Sequence, residues 1–334
     1  MLRMILALIL SAAIVLLTGP KLIAWLRKLK LGQTMYELGP QSHLKKQGTP
    51  IMGGLCIALG CVVAFIVAGA SLGAWDHMLA LLFVALGSMA VGFADDWIKM
   101  VKKNHEGLKP MQKIIGQAAV CLGFALYCYS HPEVGSKVIV PFFNVEWDLG
   151  IFYIPLLALT VLFMVNSANL QDGLDGILST VTAVGSIGWA AIALIAATTA
   201  LAAENTTIAV FALALCGACI GFLRFNHYPA TVFMGDTGSM FIGGAVVGMA
   251  MLLRQPFLLL LIAFTCVMSS VSVILQRYYF KLTRKLTGTP KRLFKMSPIH
   301  HHFEMCGMKE TQIVLMYAIV TLVLSAIAVV SVII

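Results

Sequence analysis

Charged residues are scarce in this chain: they make up 11% of its 334 residues, whereas 60% are hydrophobic. Soluble domains are typically about a quarter charged and about half apolar. The deficit therefore excludes an ordinary soluble domain and indicates a protein whose solvent is lipid. The chain also lacks internal repeats of about 20–50 residues and low-complexity tracts, so a repeat architecture is excluded.

Several familiar catalytic signatures are missing as well. The sequence has no Walker A motif, no kinase signature and no visible Ser-His-Asp arrangement. Its net charge of +9 is not accompanied by a nucleic-acid-binding motif, so we expect no nucleic-acid partner. Seven of the eight cysteines lie inside apolar stretches, where cysteine behaves as a small hydrophobe rather than as half of a disulfide.

Long apolar runs dominate what is present. A membrane span needs about 20 mostly apolar residues, and in lipid a helix satisfies its backbone groups within one segment. We therefore predict an all-α polytopic membrane protein with ten transmembrane helices in a single domain, residues 1–334. The predicted spans are roughly 4–26, 51–75, 77–97, 111–130, 149–167, 176–198, 205–223, 234–253, 256–280 and 311–333.

The basic residues predict the orientation of these spans. All but three of the 23 Lys and Arg residues fall in or beside the loops on one side, the exceptions being Arg3, Lys137 and Arg254. This bias identifies the basic side as cytoplasmic, so both termini are predicted to be periplasmic. The basic rim suits anionic lipid and anionic substrates. In the large outer loop, strand-like residues around Asn144 predict a small periplasmic β-hairpin.

The aspartates are unevenly placed. Five of the seven lie at the cytoplasmic ends of predicted spans, among Gly, Asn and His rather than in Lys–Glu pairs, and these are Asp95, Asp96, Asp172, Asp175 and Asp236. Ionisable groups in spans are costly and usually functional, although acids at helix ends are often only solvated. Asp95 and Asp96 point about 100° apart on a helix, so different roles are expected. Mutual repulsion raises one pKa of such a pair, which suits a proton acceptor.

Two Gly-rich segments carry the other acids. Asp172 and Asp175 share a face if the segment Asn166–Gly176 is helical, and its Asn and Asp side chains offer both donors and acceptors for a base or a sugar. The alternative is an ordinary turn. The segment Phe233–Ser239 opens a helix, where free N–H groups favour phosphate, and Asp236 there suits Mg²⁺. Simple N-capping by Asp236 is a compatible alternative.

Histidines and lysines complete the candidate set. Three consecutive histidines, His300 to His302, span about 200° of a helix and cannot all bind one ion, so zinc is disfavoured. Hydrogen bonding to phosphate or base is the better interpretation, and solvated histidines are the alternative. Among the lysines, Lys46 lies beside glycines and is the best ligand candidate, although snorkelling explains many surface lysines.

These residue types suit one kind of chemistry. Mg²⁺ with acidic and basic groups favours displacement at phosphorus, in which catalysis is mostly positioning and charge stabilisation. A site at the membrane rim can receive one reactant from lipid and one from the cytoplasm.

Four motifs in order resemble the phospho-N-acetylmuramoyl-pentapeptide transferase family, over essentially the whole length. They are Asp95–Lys99, Asn166–Gly176, Phe233–Ser239 and Pro298–Glu304. The first three also resemble the wider polyprenyl-phosphate sugar-1-phosphate transferases, whereas the triple histidine points to the muramoyl branch.

The resemblance implies a Mg²⁺-dependent reaction in the bacterial cytoplasmic (inner) membrane, with the active site on the cytoplasmic face. Undecaprenyl phosphate would attack UDP-MurNAc-pentapeptide, giving lipid I and UMP, and a homodimer is typical of the family. A double displacement through an aspartyl phosphate is also open. The implied catalytic residues are Asp95 as base, Asp96, His300 and the metal ligand Asp236. The implied substrate-binding residues are Lys46, Asn169, Asp172, Asp175, Phe233, Gly235, Ser239, Gln276, His300 and His301.

One position departs from the family pattern, and three rival functions remain. Ile51 stands where many members have threonine, so a hydroxyl contact is lost there. The nearest rival is a sibling enzyme that transfers GlcNAc-1-phosphate, and the triple histidine argues against it. A transporter is a second rival, but transporter sites tend to lie near the bilayer midplane. A noncatalytic membrane scaffold is the third.

Overall fold

The computed structural model describes residues 1–29, 46, 48–102, 107–197 and 201–334. Within those residues the chain is a bundle of long helices with one two-stranded sheet. Nine helices there are long and apolar enough to cross a membrane, as expected when backbone groups must be satisfied without water. The prediction of a mainly helical, multi-span membrane protein is confirmed. The positions of the termini and the single domain stay predictions.

The helices follow the predicted spans closely. In chain order they are α1 (Leu2–Lys28), α2 (Gly54–Gly69), α3 (Trp75–Lys102), α4 (Pro110–Ser130), α5 (Tyr153–Gln171), α6 (Ile177–Ala196), α7 (Ala202–Asn226), α8 (Gly235–Leu252), α9 (Leu259–Ile262), α10 (Phe264–Thr287), α11 (Ile299–Met305) and α12 (Glu310–Ile333). Local sequence signals explain where some of these helices begin or end. Pro110 begins α4, where its missing N–H costs nothing. Gly288 ends α10 in the left-handed conformation.

The predicted span at 256–280 is not one continuous helix. The pieces Pro256–Ile262 and Phe264–Thr287 are bent 86° from each other, and Ala263 between them has left the helical region with φ −103° and ψ 21°. Mean hydropathy reports composition and not the direction of a helix axis. It therefore cannot reveal a bend between two apolar helices. The described residues therefore hold nine candidate spans, or ten if the bent pair is one span.

The predicted hairpin is present. Strand β1 (Lys137–Val140) pairs antiparallel with β2 (Val145–Asp148), with Lys137 opposite Asp148. Asn144 takes a positive φ of 48° in the connecting turn, a conformation that asparagine tolerates. An ion pair between Arg254 and Glu146 attaches the hairpin to the end of α8. The side of the membrane on which the hairpin lies stays a prediction.

Helix α8 lies at the centre of the bundle and determines where the acids meet. It is the most enclosed of the candidate spans described, and its most extensive packing is against α3. The two helices approach closely at Gly92, where a Cβ atom would collide with the backbone carbonyl of Asp236. This approach brings the last turns of α3 to the first turn of α8.

Candidate active site

Three aspartates form an acidic centre where α3 and α8 meet. Asp95 and Asp96 belong to α3, and Asp236 lies in the first turn of α8. One carboxylate oxygen of each residue lies within 4.8 Å of the others. The sequence predicted different roles for the adjacent pair, and the two carboxyls do contact different partners.

Asp96 caps the start of α8 from a neighbouring helix. Its Oδ1 accepts the N–H of Asp236 at 3.2 Å, and its Oδ2 accepts the N–H and the hydroxyl of Thr237 at 2.9 and 2.7 Å. A helix start has unsatisfied N–H groups that are usually capped by the residue just before it. Gly235 leaves room for this contact, since a side chain there would meet the Asp96 carboxylate, and its φ of 72° favours glycine. Asp96 therefore positions Asp236.

Asp236 contacts one side-chain amide and two ammonium groups. Its Oδ1 accepts the side-chain amide of Asn169 at 2.7 Å, and its Oδ2 receives the ammonium groups of Lys113 and Lys99 at 2.8 and 3.2 Å. Asn169 also donates to the Ser239 hydroxyl at 2.9 Å. The end of α5 is thereby fixed to the start of α8.

Asp95 is held between two donors. Its Oδ2 lies 2.5 Å from the Lys99 ammonium, and its Oδ1 accepts the Leu108 N–H at 2.8 Å. Lys99 therefore bridges Asp95 and Asp236. Two ammonium groups, those of Lys99 and Lys113, thus lie against the carboxyl groups of the centre.

The donor set of this centre fits Mg²⁺. Hard oxygen ligands, few of them from protein and the rest from water or phosphate, are what Mg²⁺ prefers. Asp236 and Asp95 have oxygens facing the same space, and the Asp96 oxygens are already used by α8. Asp236, with Asp95 beside it, is thus placed to hold the ion, which would take over the charge neutralisation that the two lysines now provide.

A second group lies around the loop after α5. The Lys46 ammonium bonds to Asp175 Oδ1 and to Glu310 Oε1, both at 2.6 Å. Glu310 also accepts the Asp175 N–H at 2.5 Å, and Asp175 Oδ2 accepts the Ala230 N–H at 2.9 Å. These bonds connect the segment before α2, the loop after α5 and the start of α12.

Two pKa values in this group are shifted. Burial opposes the charge on Lys46, but its hydrogen bonds to Asp175 and Glu310 outweigh burial and raise the pKa of the ammonium. Loss of water around the carboxyl of Asp172, together with repulsion from Asp236, Asp96 and Asp175, raises its pKa to about 8. The raised pKa favours the neutral form of the Asp172 carboxyl, which can donate a hydrogen bond.

Two of the three histidines face this loop. His300 is fully buried, and its ring lies edge-on to that of His301 with centroids 4.3 Å apart. A side chain at Gly173 would collide with Nε2 of both rings, so α11 packs directly against the residue after Asp172. His302 lies elsewhere, and its Nδ1 accepts the Lys295 N–H at 3.1 Å.

Two predicted binding residues have structural contacts of their own. The Gln276 side chain bonds to the backbone of Phe294 and Leu293 at 2.9 to 3.1 Å, so it fixes the segment after α10. The Phe233 N–H donates to Pro50 and its carbonyl accepts from Gly53, which aligns the segment before α2 with the start of α8. A binding role for either residue stays a prediction.

Four residues that complete these networks have no role predicted from the sequence. They are Lys99, Lys113, Thr237 and Glu310. Lys99 follows Asp95 by one helical turn, a spacing that predicts an ion pair, and Thr237 lies inside a motif. For Lys113 and Glu310 the sequence offered no signal, because each meets its partner only through the packing of distant helices.

Comparisons with known proteins find relatives over almost the whole chain. Residues 78–254 match the model of the family described as "Glycosyl transferase family 4". The chain is similar to the phospho-N-acetylmuramoyl-pentapeptide-transferase of Clostridioides difficile strain 630, with 42% identity over 96% of this chain and 94% of the relative. It is 40% identical to that of Clostridium kluyveri over 97% and 98%, and 41% identical to that of Thermoanaerobacter sp. strain X514 over 96% of each.

Proposed function

The chain belongs to the phospho-N-acetylmuramoyl-pentapeptide-transferase family, and from that premise we propose the reaction in detail. It is a glycosyl-phosphate transferase of peptidoglycan synthesis embedded in a membrane. The proposed donor is UDP-MurNAc-pentapeptide, the acceptor is undecaprenyl phosphate, and the products are lipid I and UMP. The proposed cofactor is Mg²⁺.

One observation carries the proposal beyond family membership: the acidic centre is connected directly to a polar loop suited to a nucleotide. Asn169 bonds to Asp236 in the centre, and Asp172 and Asp175 follow it on the same short segment. A nucleotide held along that segment would present its phosphates to the centre. Phosphoryl transfer depends mostly on such positioning.

We assign the chemistry to the acidic centre. Asp95 takes the proton of the lipid phosphate, whose freed oxygen attacks the sugar-proximal phosphorus of the donor. The bond from that phosphorus to the bridging oxygen breaks, and UMP leaves. Asp96 positions the start of α8, and Asp236 holds Mg²⁺, which when bound neutralises charge on the phosphates. Lys99 and Lys113, which contact Asp236, stabilise the same charge.

We assign recognition of the donor to the residues beside the centre. The neutral Asp172 carboxyl donates a hydrogen bond to the uracil or ribose, and Lys46 fixes the loop through Asp175. His300 and His301 face the phosphates. The remaining proposed pocket residues are Asn169, Phe233, Gly235, Ser239 and Gln276.

The proposed setting follows from charge distribution. We propose that the acidic centre lies on the cytoplasmic side of the bacterial inner membrane, with both termini periplasmic, and the distribution of basic residues among the loops supports this orientation. There a soluble nucleotide and a membrane-bound phosphate can meet. We also propose a homodimer, as the family resemblance implies.

Transfer from radiolabelled UDP-MurNAc-pentapeptide to undecaprenyl phosphate in detergent tests the proposal. Wild type and Asp236→Asn are compared, each with Mg²⁺ or with a chelator. Labelled lipid from wild type alone, and only with Mg²⁺, is the expected result.

The rivals predict other outcomes. Product from UDP-GlcNAc but none from the muramoyl donor would assign the chain to the sibling branch. Binding of both substrates without turnover by folded wild type would contradict an enzymatic role and favour a scaffold.

A further inference from the structure

A second cluster of ligand-type side chains lies at the other end of α3 from the acidic centre. Asp76 and His77 are in the first turn of α3, and His131 directly follows α4. One donor atom of each residue lies within 4.8 Å of the others. The rise along α3 from Asp76 to Asp95 is roughly 28 Å, so the two clusters cannot share a ligand.

The spacing of the donor atoms matches a small tetrahedral ion. Nε2 of His131 lies 2.9 Å from one Asp76 oxygen, and Nδ1 of His77 lies 3.7 Å from the other. Zinc bound at about 2.0 Å by tetrahedral ligands keeps those ligands about 3.3 Å apart. The two histidine rings stand edge to face with centroids 5.0 Å apart, so both can turn a nitrogen to one point.

The burial of His77 is not explained by an ordinary ion pair with Asp76. Its side chain is almost fully buried, at 1% exposure, and its Nδ1 makes no hydrogen bond to any residue in the described ranges. A buried ring nitrogen without a partner is costly. The 3.7 Å to Asp76 is too long for a hydrogen bond, yet it is suitable for two ligands of the same ion.

The ligand types and the position of Asp76 favour a transition-metal cation. The Asp76 side chain is half exposed, which gives an ion a route from water. Imidazole ligands with one carboxylate suit Zn²⁺, whereas Mg²⁺ prefers oxygen ligands alone.

We propose that Asp76, His77 and His131 form a site for a divalent transition-metal ion of the zinc type. The ligands are an Asp76 carboxylate oxygen, His77 Nδ1 and His131 Nε2, with water in the fourth position. On binding, the proton of His131 moves to Nδ1, and the 3.3 Å hydrogen bond that Nδ1 accepts from the Glu133 N–H is lost. The ion cross-links the start of α3 to the end of α4, at the face opposite the acidic centre.

Zinc titration of the purified full-length protein tests this site. Metal-free protein in detergent, with excess Mg²⁺ present to occupy the acidic centre, competes with a chromogenic zinc indicator. The variants are Asp76→Asn and His131→Gln, and the matched control is His227→Gln, a histidine elsewhere in the chain that bonds to a backbone carbonyl. Co²⁺ absorption reports nitrogen ligands, and the zinc-dependent change in Tm reports the cross-link.

The expected result is that each of the two ligand variants binds the ion at least about 10-fold more weakly and loses the zinc-induced rise in Tm. Both keep transfer activity in Mg²⁺, and His227→Gln behaves as wild type. Unchanged zinc affinity in either folded variant, or no zinc bound by wild type, overturns the site. The zinc titration does not depend on transferase activity. The proposed reaction and the proposed zinc site can therefore be contradicted independently.

Discussion

At the scale of single residues, the two carboxylates of the α3 pair perform different tasks. Asp96 accepts hydrogen bonds from the start of α8, whereas Asp95 contacts the Lys99 ammonium and the Leu108 N–H. The sequence predicted a division of roles from the helical angle alone. It could not tell which acid faces inward, because that depends on where α8 packs.

Asp96→Asn tests the positioning role. The amide replaces one acceptor oxygen with a donor that faces backbone N–H groups, so we expect a loss of about 1–3 kcal/mol in the free energy of unfolding, with loss of transfer. Thr237→Val is the matched control, since it removes one hydroxyl and keeps both N–H groups. If unfolding in detergent shows Asp96→Asn as stable as wild type, Asp96 does not act by positioning.

Asp172 predicts a pH dependence of stability. Its folded-state pKa of about 8 lies above the ordinary 3.8, so between these values the folded protein binds more protons than the unfolded chain. The free energy of unfolding therefore falls as pH rises through that window. We expect the Tm of Asp172→Asn to fall less than that of wild type from about pH 5 to 8. Parallel Tm curves for the two proteins would contradict the raised pKa.

At the scale of elements, the close approach of α3 and α8 builds the centre. Hydropathy predicted both helices and their bounds to within a few residues. It could not predict that Gly92 faces Asp236, or that the span at 256–280 bends, because neither changes local composition. Elements with long apolar runs were therefore predictable, whereas their mutual placement was not.

Gly92→Ala tests this approach. The added Cβ would meet the rigid carbonyl of Asp236, so we expect a destabilisation of about 1–3 kcal/mol and a marked loss of transfer. Gly87→Ala on the same helix is the control, because its Cβ would meet only the Val120 side chain at 3.0 Å. Unfolding and transfer are measured for both. Equal behaviour of the two variants would show that the helices can move apart without cost.

At the scale of the whole molecule, the acidic centre and the network around the loop after α5 lie at the same end of the bundle. The motifs identified the Asp, Asn and His members of these networks, since such residues stand out in an apolar chain. Lys113 and Glu310 were missed because a lysine or glutamate at a helix start has an ordinary explanation in solvation. The orientation of the bundle stays a prediction, based on the distribution of basic residues among the loops.

Cys306 provides a direct test of that orientation. Seven of the eight cysteines are buried and Cys306 is exposed, just after α11 and on the side of the histidines. A membrane-impermeant maleimide should therefore label the protein in inside-out vesicles and not in intact cells. Cys306→Ser should abolish the labelling. Labelling from outside intact cells would reverse the predicted topology.

The cap that Asp96 places on α8 also determines when the centre can form during synthesis. Asp96 and Thr237 are 141 residues apart in sequence, so most of the bundle emerges from the ribosome before the cap can close. Until then Asp95 and Asp96 lack the start of α8, to which Asp96 bonds in the folded protein. A nascent chain arrested before Asp236 would insert its early spans and still lack the acidic centre. Activity is thus confined to chains whose synthesis has passed the eighth helix.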